Sequence, residues 1–128
     1  MNTGKQAEKY IKDYFKTKKN IDLISAPRGE LGYDFKTEDD KLFVEVKGTS
    51  AKELSKVFFR YFTNTEYEKA RVCRKAKVKF EIHLVLGIGS DSITHYRIPG
   101  NLLLEKGKPE ITWALPIRKE HSQYLVKD

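Results

Sequence analysis

Residues 42–48 read LFVEVKG, and this short run constrains the fold more than any other part of the chain. Strand side chains alternate between faces. Phe43, Glu45 and Lys47 therefore share one face, and Leu42, Val44 and Val46 share the other. The run otherwise reads as buried β-strand. A buried charge costs several kcal/mol unless it is paired or bound to an ion. The run before it, YDFKT at 33–37, has the same strand character, and the polar EDD between them makes a turn. Paired as a hairpin, the two strands set Asp34 across from Glu45 on one face. Lys47 follows two residues on, on the side of Glu45.

The rest of the chain supplies the frame for that hairpin. The 128 residues suit one domain, 1–128, within which 89–128 stands as a C-terminal extension. A hydrophobic fraction of 39% is enough for a core without staples. Asn2 and Thr3 form a cap-like pair, and Ala7, Tyr10, Ile11, Tyr14 and Phe15 then follow helical spacing. Glu8 lies beside that stripe. IDLIS at 21–25 predicts a short strand, and APRGELG after it a loop. KVFFRYF at 56–62 predicts a further strand. Thr63 or Thr65 caps a helix that runs to about Lys77. KFEIHLVLGIG predicts a strand, SITHYRI a partner for it, and ITWALPI a last strand or an extended tail. The fold class is α/β: a mixed central sheet, one helix before it and one inserted.

Charge narrows the partners. The net charge is +7 and the pI about 9.4, a surface that attracts polyanions, nucleic acid first. Residues 51–79 carry nine Lys or Arg against three Glu. Lys52, Lys56, Arg60, Arg71, Arg74, Lys75 and Lys77 are candidates for a phosphate-binding face. Such contacts hold the DNA backbone but carry no sequence code. Cys73 is the only cysteine, which excludes an intrachain disulfide and a Cys-rich zinc site. No signal-like or membrane-spanning run is present, so the expected setting is the cytoplasm. His83, His95 and His121 show no zinc spacing, and His83 is expected in the core.

Two carboxylates converging at a strand end suit a hard divalent cation. Mg²⁺ takes oxygen ligands and is usually held by one or two carboxylates with water and phosphate. Asp34 and Glu45 would ligate Mg²⁺ or Mn²⁺, with the Val46 carbonyl as a third oxygen. Lys47 beside them would hold or deprotonate a water, and the ion would stabilise charge growing on a phosphorus-bound oxygen.

Asp34, ten intervening residues, then Glu45-Val46-Lys47 resembles the signature of the PD-(D/E)xK nuclease superfamily. That superfamily includes restriction endonucleases and archaeal Holliday-junction resolvases. The resemblance implies a restriction-endonuclease-like core of helix, three antiparallel strands, helix and strand, αβββαβ. It also implies a metal-related glutamate in the first helix, which Glu8 matches. Over residues 3–88, the ordered segments GYDFKT, KLFVEVKGTS, VFFRYFTNTEYEKA and FEIHLVL resemble the nuclease-like domain at the C-terminus of plant NO VEIN proteins and of many bacterial defence and restriction proteins. Thr63 and Glu66 fit that family's T-x-x-E helix start. Glu66 is a further site candidate on this ground. Glu30 is a weaker one, from its place in the loop before Asp34.

The expected function is metal-dependent hydrolysis of DNA phosphodiesters, in a restriction, defence or DNA-processing setting. The alternative is an inactive nucleic-acid- or protein-binding module on the same fold. A chain this short has little room for its own target-recognition domain, which favours a homodimer or a larger complex. Trp113 and the LPI that follows at 115–117 are candidates for such an edge.

Overall fold

The β-hairpin forms in the register that the alternation implies. The computed structural model describes residues 2–29, 31–53, 62–109, 113–115 and 117–127. Strand β2 (Phe35–Lys36) runs antiparallel to β3 (Leu42–Gly48), with Phe35 opposite Val44 and Lys36 opposite Phe43. The Asp34 N–H donates to the Val44 carbonyl at 2.8 Å, and the Thr37 N–H to that of Leu42 at 3.0 Å. Asp39 holds the turn: its Oδ1 accepts the Thr37 hydroxyl at 2.7 Å and the Lys41 N–H at 3.0 Å. The same ladder, continued by one residue, sets Asp34 opposite Glu45.

On the outer side β2 pairs with the short β1 (Ile24–Ser25). On the inner side β3 runs parallel to β4 (Lys79–Leu86), with Leu42 opposite Lys79 and Gly48 opposite Val85. A parallel pair needs a crossover. Residues 49–78 supply it and contain helix α2 (Asn64–Lys75). Strand β5 (Thr94–Pro99) returns antiparallel to β4 and closes a mixed sheet of order β1-β2-β3-β4-β5. The predicted strand 56–62 lies outside the described residues except for Phe62, which is fully buried.

Helix α1 (Thr3–Tyr14) covers one face of the sheet. Asn2 caps it by accepting the Lys5 N–H at 2.8 Å. Ala7, Ile11 and Phe15 pack with Phe35, Val44, Val46 and Val85. Helix α2 and the short α3 (Gly100–Lys106) lie on the other face, over Phe80, Ile82, Leu84 and Ile98. The sequence reading did not anticipate α3: it is seven residues long and opens with Pro-Gly, which reads as a turn. Beyond it, Lys108–Pro109 (β6) pairs with Trp113–Ala114 (β7), a 3₁₀ turn spans Lys119–Tyr124, and Leu115 and Ile117 are buried in the core. Among the described residues, no helix is long and apolar enough to cross a membrane.

Gly48 explains how α1 comes so close to β3. A Cβ there would collide with the Cβ of Ala7 and lie 3.3 Å from the Thr3 carbonyl oxygen. That close approach brings Glu8, the neighbour of Ala7, beside the end of the hairpin.

His83 belongs to the core, as expected, but it is not alone. On the α1 side its Nδ1 meets Nε2 of His95 at 2.7 Å, and its Nε2 meets Oε1 of Glu81 at 2.9 Å. Tyr14 and Phe15 lie edge-on to the two rings, with centroids 4.8 and 5.3 Å away. Among the described residues, His95 Nδ1 has no hydrogen-bond partner. Burial keeps both imidazoles neutral and pushes His95 down to about 3. Both histidines bind fewer protons folded than unfolded below pH ~6.5. Their contribution to stability is therefore lost progressively as pH falls below ~6.5, in the case of His95 towards 3.

Two outcomes follow. Gly48→Ala should destabilise the protein by about 1–3 kcal/mol, from overpacking against Ala7, as read by urea unfolding. At pH 5, ¹⁵N NMR of the ring nitrogens should show His83 and His95 still neutral in the folded protein; charged rings there would refute the buried-pair account.

Candidate active site

The site begins with the hairpin's alternation. The even residues of β3 point into the α1-side core, so Glu45 and Lys47 point towards α2. Asp34 joins them because Phe35, its neighbour, points the other way. The Val46 N–H donates to Asp34 Oδ2 at 2.8 Å, which fixes the carboxylate against β3. Glu45 is only 4% exposed. Lys47 Nζ lies 3.0 Å from Glu45 Oε2 and 3.3 Å from Glu66 Oε1, and 5.0 Å from the Phe62 ring centre.

Glu66 is held by the start of α2. Thr63 Oγ1 accepts the Glu66 N–H at 3.1 Å, and Glu66 Oε1 accepts the Thr63 N–H at 3.0 Å, a capping box. The loop before Asp34 is pressed onto the same helix. Gly32 has φ +85°, and a Cβ on it would come within 2.6 Å of the Thr65 carbonyl oxygen. Lys69 completes the contact, 5.2 Å over the Tyr33 ring and 3.9 Å over that of Phe43. These contacts seat the G-Y-D segment on the helix that the T-x-x-E segment opens.

A cleft of about 420 Å³ opens over these groups, lined by Glu8, Asp34, Glu45 and Glu66 with Arg28, Tyr33 and Thr65. Its electrostatics follow from four acids and few cations. Burial pushes Glu45 up to about 9, and Asp34 and Glu66 add to the rise against the opposing pull of Lys47. Burial also raises Asp34, while the hydrogen bonds from Val46 N–H and Glu45 pull it back. Burial raises Glu8, and the Asp34 charge raises it further. Lys47 is pushed down by burial, but Glu45 and Glu66 outweigh that and hold it above the usual lysine range. Near neutral pH the cluster therefore keeps an ammonium and at least one proton on its most buried acid.

The chemistry of this donor set fits a hard divalent cation. Crowded carboxyls that hold protons against their own repulsion are stabilised when such an ion replaces the proton. Asp34 and Glu45 are the two acids that face each other across the hairpin. Among the described residues, no group of three His, Cys, Asp or Glu side chains is arranged to hold a metal ion. Any further ligands would be main-chain oxygen, water or phosphate.

Of the sequence candidates, Asp34, Glu45, Lys47, Glu8 and Glu66 come together. Val46 contributes its N–H, and its side chain is buried in the α1-side core. Lys52 is exposed just past β3. Arg71 is engaged by Glu68 at 2.8 Å, on the outside of α2. Arg74 and Lys75 occupy the last turn of α2, and Lys77 follows it, away from the cleft. Glu30, Lys56 and Arg60 lie outside the described residues. Arg28 was missed: one arginine in a loop carries no pattern that marks it as a cleft residue.

Glu45 binds its proton more tightly folded than unfolded, so stability falls as pH rises from ~4.5 towards 9. Glu45→Gln should therefore stabilise the protein by about 1–3 kcal/mol at pH 8, and by less at pH 5. Parallel urea titrations of the two proteins against pH test this; identical slopes would mean an ordinary acid.

The model of the family described as "Protein NO VEIN, C-terminal" matches residues 5–98. No curated protein matches the chain in sequence. Among solved structures, the Holliday junction resolvase Hjc of the hyperthermophile Archaeoglobus fulgidus is similar, with a TM-score of 0.64 over 97% of this chain and 90% of that one, at 13% identity. At that identity the likeness is one of fold. The chain belongs to the NO VEIN C-terminal family and has a nuclease-like fold of the restriction-endonuclease type.

Proposed function

We propose that the acidic cleft is a metal-dependent phosphodiesterase centre that acts on DNA. The observation that carries this is the meeting of Asp34 and Glu45 from adjacent strands beside an ammonium, Lys47, held charged by Glu66. Asp34 and Glu45 would bind Mg²⁺ or Mn²⁺, with the Val46 carbonyl as a main-chain oxygen and Glu8 assisting through water. The ion would supply Lewis-acid stabilisation of charge on the phosphoryl oxygen.

The chain's own groups do the rest. Lys47 is protonated, so it donates hydrogen bonds to the attacking water and orients it. It cannot take that water's proton while the two glutamates hold its own. Glu8, half-buried at the rim with a raised affinity for a proton, would take the attacking water's proton through a bridging water, and the leaving oxygen would be protonated from solvent. The cationic candidates, Lys52, Arg74, Lys75 and Lys77, serve the phosphate backbone. A cytoplasmic restriction, defence or DNA-processing role fits these parts, with a second copy or a larger complex supplying target recognition. The Hjc likeness makes a four-way DNA junction a natural first substrate beside linear duplex.

A second reading has one observation in its favour, the lack of a three-ligand group among the described residues. On that reading the fold is a non-catalytic module that binds nucleic acid or a protein.

Purified protein should cut DNA with Mg²⁺ or Mn²⁺ and stop with EDTA. Lys47→Ala should lower the rate at least ~10²-fold, the range for a group acting on the transition state. Calorimetry in buffers of different ionisation enthalpy should show proton release on Mn²⁺ binding at pH 7.5, abolished in Asp34→Asn. A Lys47→Ala protein that cuts as well as wild type would overturn the assigned roles. DNA binding without carboxylate-dependent metal binding would select the non-catalytic module.

A further inference from the structure

The charge of the chain is divided between the two ends of the sheet. The cleft at Asp34 and Glu45 gathers four acids. At the other end, around the start of β4, three clefts of about 530, 460 and 250 Å³ meet at Arg97. Lys77 and Lys79 line the two larger ones, and Lys19 lines those of about 460 and 250 Å³. Lys41 lies beside Lys79, whose N–H donates to the Lys41 carbonyl at 3.2 Å. All five cationic side chains are exposed, and none makes an ion pair among the described residues. Among the described residues, the acids lining these clefts are Asp39 and Glu81; Asp39 is hydrogen-bonded to Thr37 and Lys41, and Glu81 to His83, with Arg97 and Lys79 also acting on its charge.

Lys77 adds a second observation. It follows the end of α2 with φ +60°, in the left-handed region. The Val78 N–H reaches the Cys73 carbonyl at 2.8 Å, and the Lys77 N–H that of Arg74 at 3.1 Å. This is the helix stop in which glycine is the usual residue, because a Cβ is disfavoured there. Here a lysine occupies it and projects a charge between two of the clefts. The backbone alone does not call for a lysine at this position.

We propose that Lys19, Lys41, Lys77, Lys79 and Arg97 form a metal-independent binding surface for the phosphodiester backbone of a nucleic acid, separate from the acidic cleft. The choice of a nucleic acid over other polyanions rests on the function proposed above. The surface itself rests on geometry and charge. Two rulers give its distance from the cleft. Lys41 and Glu45 are four residues apart along one strand, about 13 Å. Glu66 and Arg74 are eight residues apart on α2, about 12 Å. A DNA strand carries a charge about every 3.4 Å of axis, so the gap spans roughly four phosphates. One backbone can therefore lie in the cleft and continue over the basic end.

The test measures binding of a fluorescent 20-base-pair duplex by anisotropy, in EDTA, over a series of salt concentrations. The variant is Lys77→Gly, Lys79→Gln and Arg97→Gln combined. The control removes the same charge from exposed positions outside this surface, Lys9→Gln and Lys12→Gln on α1 and Lys106→Gln on α3. Each lost phosphate contact should lower the salt slope by about 0.9, so the variant should lose two to three units of slope and at least ~tenfold in affinity. The control should stay within about threefold of wild type. Lys77→Gly alone should weaken binding while leaving the melting temperature unchanged or higher, which separates binding from folding. Equal losses in variant and control, or no loss in the variant, would overturn the proposal. If the wild type cuts no DNA but the variant still loses affinity, the phosphodiesterase reading fails and this surface stands.

Discussion

Glu45 is a carboxyl group with 4% exposure in the middle of a strand, and the rest of the site is arranged around it. Removing such a charge from water is costly, and one partner seldom compensates fully. Here the compensation comes from Lys47 on the same strand, which Glu66 holds from the helix opposite, while the charges of Asp34 and Glu66 work against it. The result is still a frustrated cluster, because three acids share one ammonium and a proton has to remain. An apolar residue at position 45 would pack in the same place without any of this. A cluster that destabilises the fold at neutral pH is what the proposed metal-binding role of position 45 would account for.

The two ends of the sheet then take opposite electrostatic characters. The acid end is partly desolvated and built on close backbone contacts: the Val46 N–H on Asp34, Gly32 against Thr65, Gly48 against Ala7. The basic end is open and carries long flexible cations on an irregular surface. The first arrangement suits a small hard ion and a few ordered waters. The second suits a ligand that is long, charged and indifferent to the position of any one lysine. A phosphate backbone is such a ligand.

Much of this was legible from residue order. The hairpin was readable because strand period and turn chemistry agree over 33–48, and once its register is fixed the meeting of Asp34 and Glu45 follows. The α1 stripe from Ala7 to Phe15 was readable for the same reason, as was the Thr63–Glu66 helix start. Other features depend on contacts between segments far apart in the chain. Nothing in the sequence pairs His83 with His95, since they come from different strands and meet only when β4 and β5 align. Arg28 has no periodic neighbours. Helix α3 is short and opens on a turn signal. The division of the basic residues was also hidden. Arg71 and Arg74 are one turn apart in the sequence, yet Glu68 engages the first and Arg74 lines the cleft at the end of the sheet.

The capping box at the start of α2 ties two properties together. The Oε1 of Glu66 that accepts the Thr63 N–H also lies 3.3 Å from the Lys47 ammonium. Fraying of that single turn would release the lysine from one of its two anchors and let its ammonium swing. A partner that grips or loosens residues 63–66 would therefore act on the lysine's position without touching the cleft. The first turn of this helix is, in effect, a latch.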